Sequence, residues 1–261
     1  MKSREIGIEE IHDLELGILK EIDRICAGNS IRYYLQAGSV LGAIRHGGFI
    51  PWDEDADIII PINQYKAFEE ACKRELDKKY KLFTCKDKDN SVYFMRMSLA
   101  GQNQLCAYVD IFILAGVPSE KEEQAKFMKT SKRYNQLRLL RFVSPKKGDS
   151  VIKNLGRIIV KPLARCIPLS ILNRQFFKHC ETVPYEKAEY VMNPCGKYGA
   201  KNLFKKEVYG TPQIVKFESI EMPIPADYEP YLRQYYKDYM KYPAQNIIEE
   251  GLNHKVVLYE E

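Results

Sequence analysis

Apolar residues at Ile11, Leu14, Ile18, Ile22 and Ile25 step by three and four, so the chain opens with an amphipathic helix ending near Gly28. The pattern then shortens. Ile31–Gln36 reads as a strand running into Gly38-Ser39, and Ser39 is placed to cap a brief helix, Val40–Arg45, that Gly47-Gly48 terminates. Ala56–Ile60 is a strand closed by Pro61, and Asn63–Lys79 is a polar-faced helix. Tyr80–Cys85 and Ser91–Ser98 alternate as strands joined by a turn. Leu105–Leu114 is an apolar strand with one charge, Asp110, in its middle.

Beyond Gly116-Val117-Pro118 the character changes. Twelve Lys or Arg against one acid, Asp149, fall between Lys126 and Arg165. Within that block Lys153, Arg157, Lys161 and Arg165 recur every fourth residue beside an apolar face, with Pro162 expected to divide it into two helices. Residues 185–259 are rich in Tyr, Pro and Lys with weaker periodicity, and Tyr228–Met240 reads as a helix after the Pro223–Asp227 turn. The expected organisation is a catalytic core over 1–118 and a helical, basic region over 119–261 packed on it as one compact unit.

The 261 residues suffice for a full core, and 29% charged against 45% hydrophobic residues is a globular balance. Seven scattered cysteines with no C-x-x-C pair argue against a disulfide framework and a structural zinc site. The charged N-terminus lacks the apolar run of a signal peptide. Both readings point to a cytoplasmic protein.

The candidate chemistry lies in residues 34–60. Asp53, Glu54, Asp55 and Asp57 precede Ile58-Ile59-Ile60, and on an extended strand Asp55 and Asp57 point to one face. Paired carboxylates repel unless a cation sits between them, and hard oxygen ligands suit Mg²⁺ or Mn²⁺ with positions left for substrate phosphates. A calcium loop of EF-hand type does not fit, because Ile58 stands where that loop needs glycine. Asp110, costly in an apolar strand unless paired or metal-bound, is the natural third ligand. Gly38 and Ser39 can cradle a phosphate with backbone amides. Arg45 can pair with a donor phosphate, Trp52 can stack on a base or a choline head, and Asp53 joins them as a substrate contact.

Three stretches carry a family resemblance. They are Gly38-Ser39 through Leu41–His46 and Gly48–Ile58, then Val109-Asp110-Ile111-Phe112, and last Ile224–Leu232 with Tyr236–Met240 and Pro243. The chain resembles the LicD family, with Glu54 where Asp is commoner, Ala56 where a larger aliphatic is usual, and Lys237 where glycine is typical. The resemblance implies an α+β, nucleotidyltransferase-like mixed sheet flanked by helices. It also implies transfer of phosphocholine from CDP-choline to a glycan hydroxyl, with Asp55, Asp57 and Asp110 as catalytic metal ligands and Asp110 near the acceptor hydroxyl.

The basic block suggests peripheral docking at an anionic membrane, each Lys or Arg near the surface contributing about 1 kcal/mol, where a lipid-linked glycan acceptor would be displayed. No nucleic-acid module accompanies the charge. Three other readings compete: a nucleotidyltransferase releasing pyrophosphate, a D-x-D glycosyltransferase, and a non-catalytic membrane-binding module. The donor's phospho-alcohol, whether choline, ethanolamine, glycerol or another, is not encoded in any spacing.

Overall fold

The computed structural model describes residues 2–260 apart from 89, 144–157, 159 and 160. The opening helix forms as the periodicity predicts, α1 over Ile8–Gly28, with Ile11, Ile18, Ile22 and Ile25 buried. It is preceded by a strand, β1 (Lys2–Gly7), which pairs antiparallel with the last strand, β11 (Lys255–Glu260). Next come β2 (Tyr34–Leu35), α2 (Gly38–His46), β3 (Ala56–Pro61) and α3 (Ile62–Glu75). The strands β4 (Tyr80–Phe83), β5 (Met95–Leu99) and β6 (Tyr108–Val117) complete the first half.

The central sheet runs β2-β3-β6-β5-β4. Its β3–β6 pair is parallel and the others are antiparallel. Helices α1 and α3 pack on β6 and on each other. Burial on both faces explains why β3 and β6 read as near-continuous apolar runs: Ile58, Ile59, Ile60, Ile111, Ile113 and Leu114 are all buried. An apolar strand of this kind tolerates a charge only where the sheet opens onto a cleft.

The second half is mixed rather than helical. Helices α4 (Lys121–Leu140) and α5 (Leu169–Cys180) pack together. The chain then returns to the sheet: β7 (Tyr190–Met192) pairs with the far end of β6, Ala115–Val117, and β8 (Leu203–Lys205) pairs with β7. The long β6 therefore passes from one set of partners to another, and the mixed sheet curls. A hairpin, β9 (Gln213–Phe217) with β10 (Ile220–Ile224), precedes α6 (Tyr228–Tyr236) and α7 (Gln245–Leu252). These strands are only three to six residues long, too short for a period-2 signal to stand out among the tyrosines and prolines.

The basic block also divides. Arg138, counted there as a surface charge, is fully buried and donates to Cys85 O (2.9 Å), Asn90 O (2.7 Å) and Asn173 Oδ1 (2.6 Å). Arg141 donates to Ala164 O and Ile167 O. Lys153 and Arg157 lie outside the described residues, as does most of the stretch before Pro162 on which the expected division into two helices rests; residues 161–165 are helical.

Candidate active site

Strand register assembles the site. The parallel pairing of β3 with β6 sets Asp57 beside Asp110, and the antiparallel pairing of β6 with β5 sets Arg96 on the other side of Asp110. Residues directly opposite in a ladder share a face, so Asp57, Asp110 and Arg96 form one row across three strands. Asp55, just ahead of β3, adds a further carboxylate. All four line a cleft of about 510 Å³ with Gly38, Ser39 and Asp53.

Electrostatics in the cleft are dominated by burial of like charges. Burial, then Asp55, pushes the Asp53 carboxyl up to about 7, and burial, then Asp110, pushes Asp55 up to about 6. Asp57 is held well above the carboxylate range by burial, reinforced by Asp55, Asp110 and Asp53. Its Oδ1 is shut off from solvent and has no hydrogen-bond partner among the described residues. An acceptor-only carboxylate oxygen left this way beside a second carboxylate fits a cation.

Asp110 is treated differently. Arg96 Nε and the guanidinium's second nitrogen reach its two oxygens at 2.6 and 2.8 Å, a bidentate fork whose side chains are 14% and 8% exposed. Burial still holds the Asp110 carboxyl above its ordinary range against the pull of Arg96. Among the described residues no three His, Cys, Asp or Glu side chains converge on one ion position. The expected trio thus meets in one cleft, with Asp110 taken by Arg96 and Asp55 and Asp57 left as the carboxylates that could hold a cation.

Ser39 does not cap α2, which begins one residue earlier, at Gly38. Its hydroxyl accepts the N–H of Asp57 (2.8 Å), fastening α2 to β3, and its own N–H goes to Gln36 O (2.9 Å). The hydroxyl proton remains for a second partner, while the amide is occupied by the turn. Gly38 brings the backbone close to Asp53: a Cβ there would lie 2.9 Å from Asp53 Oδ2 and the carboxyl would have to shift.

The turn before Gly38 is strained. Ala37 adopts φ 43°, ψ −108°, a region L-residues avoid, and donates its N–H to Tyr231 Oη (2.8 Å). Tyr231 donates in turn to Gln36 Oε1 (2.7 Å), which Tyr209 also reaches (3.3 Å). Gln36 donates to Tyr235 Oη (3.2 Å), and Tyr235 to Asn202 Oδ1 (2.8 Å). Helix α6 therefore holds the turn through a buried polar network.

Arg45 and Trp52 line a second cavity of about 610 Å³ that shares Gly38, Asp53 and Glu54 with the first. Arg45 is committed to structure: it donates to Tyr239 O (3.0 Å) and Lys241 O (3.3 Å) and lies over the rings of Tyr242 and Trp52. Both carbonyls bond one nitrogen, Nη1, and Nε meets His46 Nε2, so the expected pairing with a phosphate would fall to the remaining nitrogen of the guanidinium.

Arg96, a lone charge between Met95 and Met97, reads from sequence as a strand residue beside the site, either a phosphate contact or a surface position, and pairing of β5 with β6 turns it to Asp110. Other cleft residues carry no signal in the sequence. Tyr108 lies under the Arg96 guanidinium at 3.9 Å and reaches Asp55 Oδ2 at 3.5 Å. The opposite wall comes from Asn193, Cys195, Gly196, Lys197 and Tyr198, with Tyr236 from α6. No local pattern announces that wall, since β7 carries it there by pairing with distant β6. Lys197 draws the Asp55 and Asp110 carboxyls down, opposing their burial.

Residues 30–146 match the family model described as LicD/FKTN/FKRP, nucleotidyltransferase domain, a stretch that takes in the Gly38 turn, the acidic cluster and Asp110. The chain is 28% identical over 243 residues to the lipopolysaccharide cholinephosphotransferase LicD of Haemophilus influenzae, covering 88% of this chain and 90% of that one. It is 47% identical over 47 residues to the ribitol 5-phosphate transferase FKRP of Homo sapiens, covering 16% of this chain and 10% of that one. Residues 30–146 therefore carry a LicD-family domain, and the alignment with the Haemophilus protein extends that likeness across nearly the whole chain.

Proposed function

We propose that the protein is a metal-dependent transferase that moves a phospho-alcohol, phosphocholine in the first instance, from a cytidine diphosphate donor to a sugar hydroxyl of a glycan precursor, with CMP leaving. The observation that carries this reading is the solvent-shielded, unpartnered Asp57 Oδ1 beside Asp55 in a cleft with an arginine fork on its far side. Asp55 and Asp57 would hold one divalent ion, Mg²⁺ or Mn²⁺, which when bound supplies neutralisation of the donor's diphosphate charge.

The chain's own residues do the rest by positioning, which dominates phosphoryl transfer. Ser39 keeps a hydroxyl proton to donate to a phosphate oxygen while fixing the start of β3. Lys197, exposed on the cleft wall, offers a second positive charge to the donor. Asp53 lines both cavities and is the carboxylate situated to take the acceptor hydroxyl's proton where donor and acceptor meet. Asp110, with both oxygens facing Arg96, orients that arginine instead.

No helix among the described residues is long and apolar enough to cross a membrane. The proposed route to a lipid-linked acceptor is peripheral contact of the basic block with an anionic inner leaflet from the cytoplasmic side. Neutralising Lys153, Arg157, Lys161 and Arg165 together should then release the protein from anionic liposomes; unchanged binding refutes the contact.

The catalytic reading is tested by incubating the protein with Mg²⁺, a glycan acceptor and a panel of CDP-alcohols and nucleoside triphosphates. CMP release from a CDP-alcohol is the expected result. Pyrophosphate release from a triphosphate would instead make it a nucleotidyltransferase, and neither product would remove it from this chemistry.

A further inference from the structure

Arg96 occupies an unusual position for a buried arginine. It stands on a strand edge of the acidic cleft, its two nitrogens matched to the two oxygens of Asp110, and its guanidinium lies over Tyr108 at 3.9 Å. On the other side of Asp110 in the ladder is Asp57, with its unpartnered Oδ1. The cleft therefore contains five carboxylates, Asp53, Glu54, Asp55, Asp57 and Asp110; among the described residues Asp110 is the one held by an arginine or lysine at hydrogen-bond distance, while Glu54 meets His254 Nδ1 at 2.7 Å on the rim.

A planar guanidinium fork fits a phosphate as well as it fits a carboxylate. A carboxylate with both oxygens turned to that fork must turn away from it to serve a neighbouring cation. The stacking contact with Tyr108 gives the guanidinium an anchor in the cleft that does not depend on Asp110. We infer that Arg96 is a positioning residue that exchanges anions: it neutralises Asp110 while the Asp55–Asp57 site is without a cation, and it passes to the donor's diphosphate when Asp110 turns toward the ion. The inference rests on the phosphotransfer reading and adds a coupling to it. Cation and donor each favour the arrangement in which Arg96 has left Asp110, so each must tighten the other's binding by the same factor.

Arg96→Met separates this exchange from plain scaffolding, because the exchange demands effects of opposite sign. Mn²⁺ binding is followed by the electron paramagnetic resonance of the free ion, and CDP binding by calorimetry, on the full chain. Without nucleotide, Arg96→Met should bind Mn²⁺ about tenfold more tightly than wild type, since a charge-assisted bond competing for Asp110 has gone. With saturating Mn²⁺ it should bind CDP about tenfold more weakly, and CDP should tighten Mn²⁺ binding about tenfold less than in wild type, leaving only the direct attraction of ion and diphosphate. Arg96→Lys keeps the charge without the fork and should shift both affinities in the same directions by less. It serves alone if the Met variant does not fold, as judged by thermal melting. Weaker or unchanged Mn²⁺ binding in the folded variant, or unchanged CDP binding, overturns the exchange. Wild type that binds neither Mn²⁺ nor CDP overturns the phosphotransfer reading beneath it, and the two failures are thereby told apart.

Discussion

Removing one hydroxyl, in Tyr231→Phe, should loosen the turn on which the cleft is built. The ring is fully buried and packs on Phe204, Tyr209 and Tyr235 at centroid distances of 5.0, 5.7 and 5.0 Å, contacts that phenylalanine keeps. The loss is confined to the bond accepted from Ala37 N–H at 2.8 Å and the bond donated to Gln36 Oε1 at 2.7 Å. Gln36 Oε1 retains Tyr209, whereas the Ala37 amide loses the partner shown for it inside a strained turn. Orphaning a buried donor costs about 1–3 kcal/mol, so the expected loss of stability is about 2 kcal/mol. Urea unfolding should report it as a lower midpoint at unchanged slope. Ala37→Gly in the same background should recover part of it, because glycine relieves the positive φ that Tyr231 helps to enforce. A loss below about 0.5 kcal/mol, or no recovery with glycine, would refute the claim that this hydroxyl holds the turn.

Lys237 ends α6 at φ 58°, ψ −100°, so Lys237→Gly should stabilise the fold by about 1 kcal/mol, read as a higher melting temperature. Asp53 and Asp55, raised to about 7 and about 6, bind protons more tightly folded than unfolded. Their contribution to stability therefore grows as pH falls from about 8 toward about 5 and is lost in the other direction, before unfolded carboxylates begin to titrate. Burial lowers the His12 imidazole and gives it the opposite sign over part of that window, so the comparison is wild type against Asp53→Asn, which should flatten the profile of urea midpoints. Gly251 lies against the Trp52 loop, where a Cβ would stand 2.0 Å from Trp52 O, so Gly251→Ala should displace α7 and open residues 243–254 to limited proteolysis.

The site was legible wherever its chemistry was written locally. Asp55 and Asp57 share a face by the strand period alone, and Asp110 stood out because a single charge in an apolar strand needs a reason. Their meeting follows from the β3–β6 register. What stayed hidden depends on pairing across long separations. The fork of Arg96 on Asp110 needs β5 against β6, and the wall at residues 193–198 needs β7 to return to the far end of β6. Ser39 was placed at the start of its helix, but the choice between capping and bonding to Asp57 N–H turns on one residue of helix boundary. Arg45 illustrates the limit of charge reading: its partners are backbone carbonyls of Tyr239 and Lys241, which no side-chain pattern advertises. In the same way, the buried Arg138 was indistinguishable by type from its neighbours in the basic block.

The central claim is that phospho-alcohol transfer occurs at the Asp55–Asp57 carboxylates, and phosphorus NMR of one reaction tests it most directly. With CDP-choline, Mg²⁺ and a glycan acceptor, wild type should convert the diphosphate resonances to CMP and a phosphodiester. Asp57→Asn, which should melt at least as high as wild type because it removes a carboxyl whose ionisation burial and its neighbours oppose, should leave them unchanged. CMP formed at the wild-type rate by folded Asp57→Asn would contradict the account.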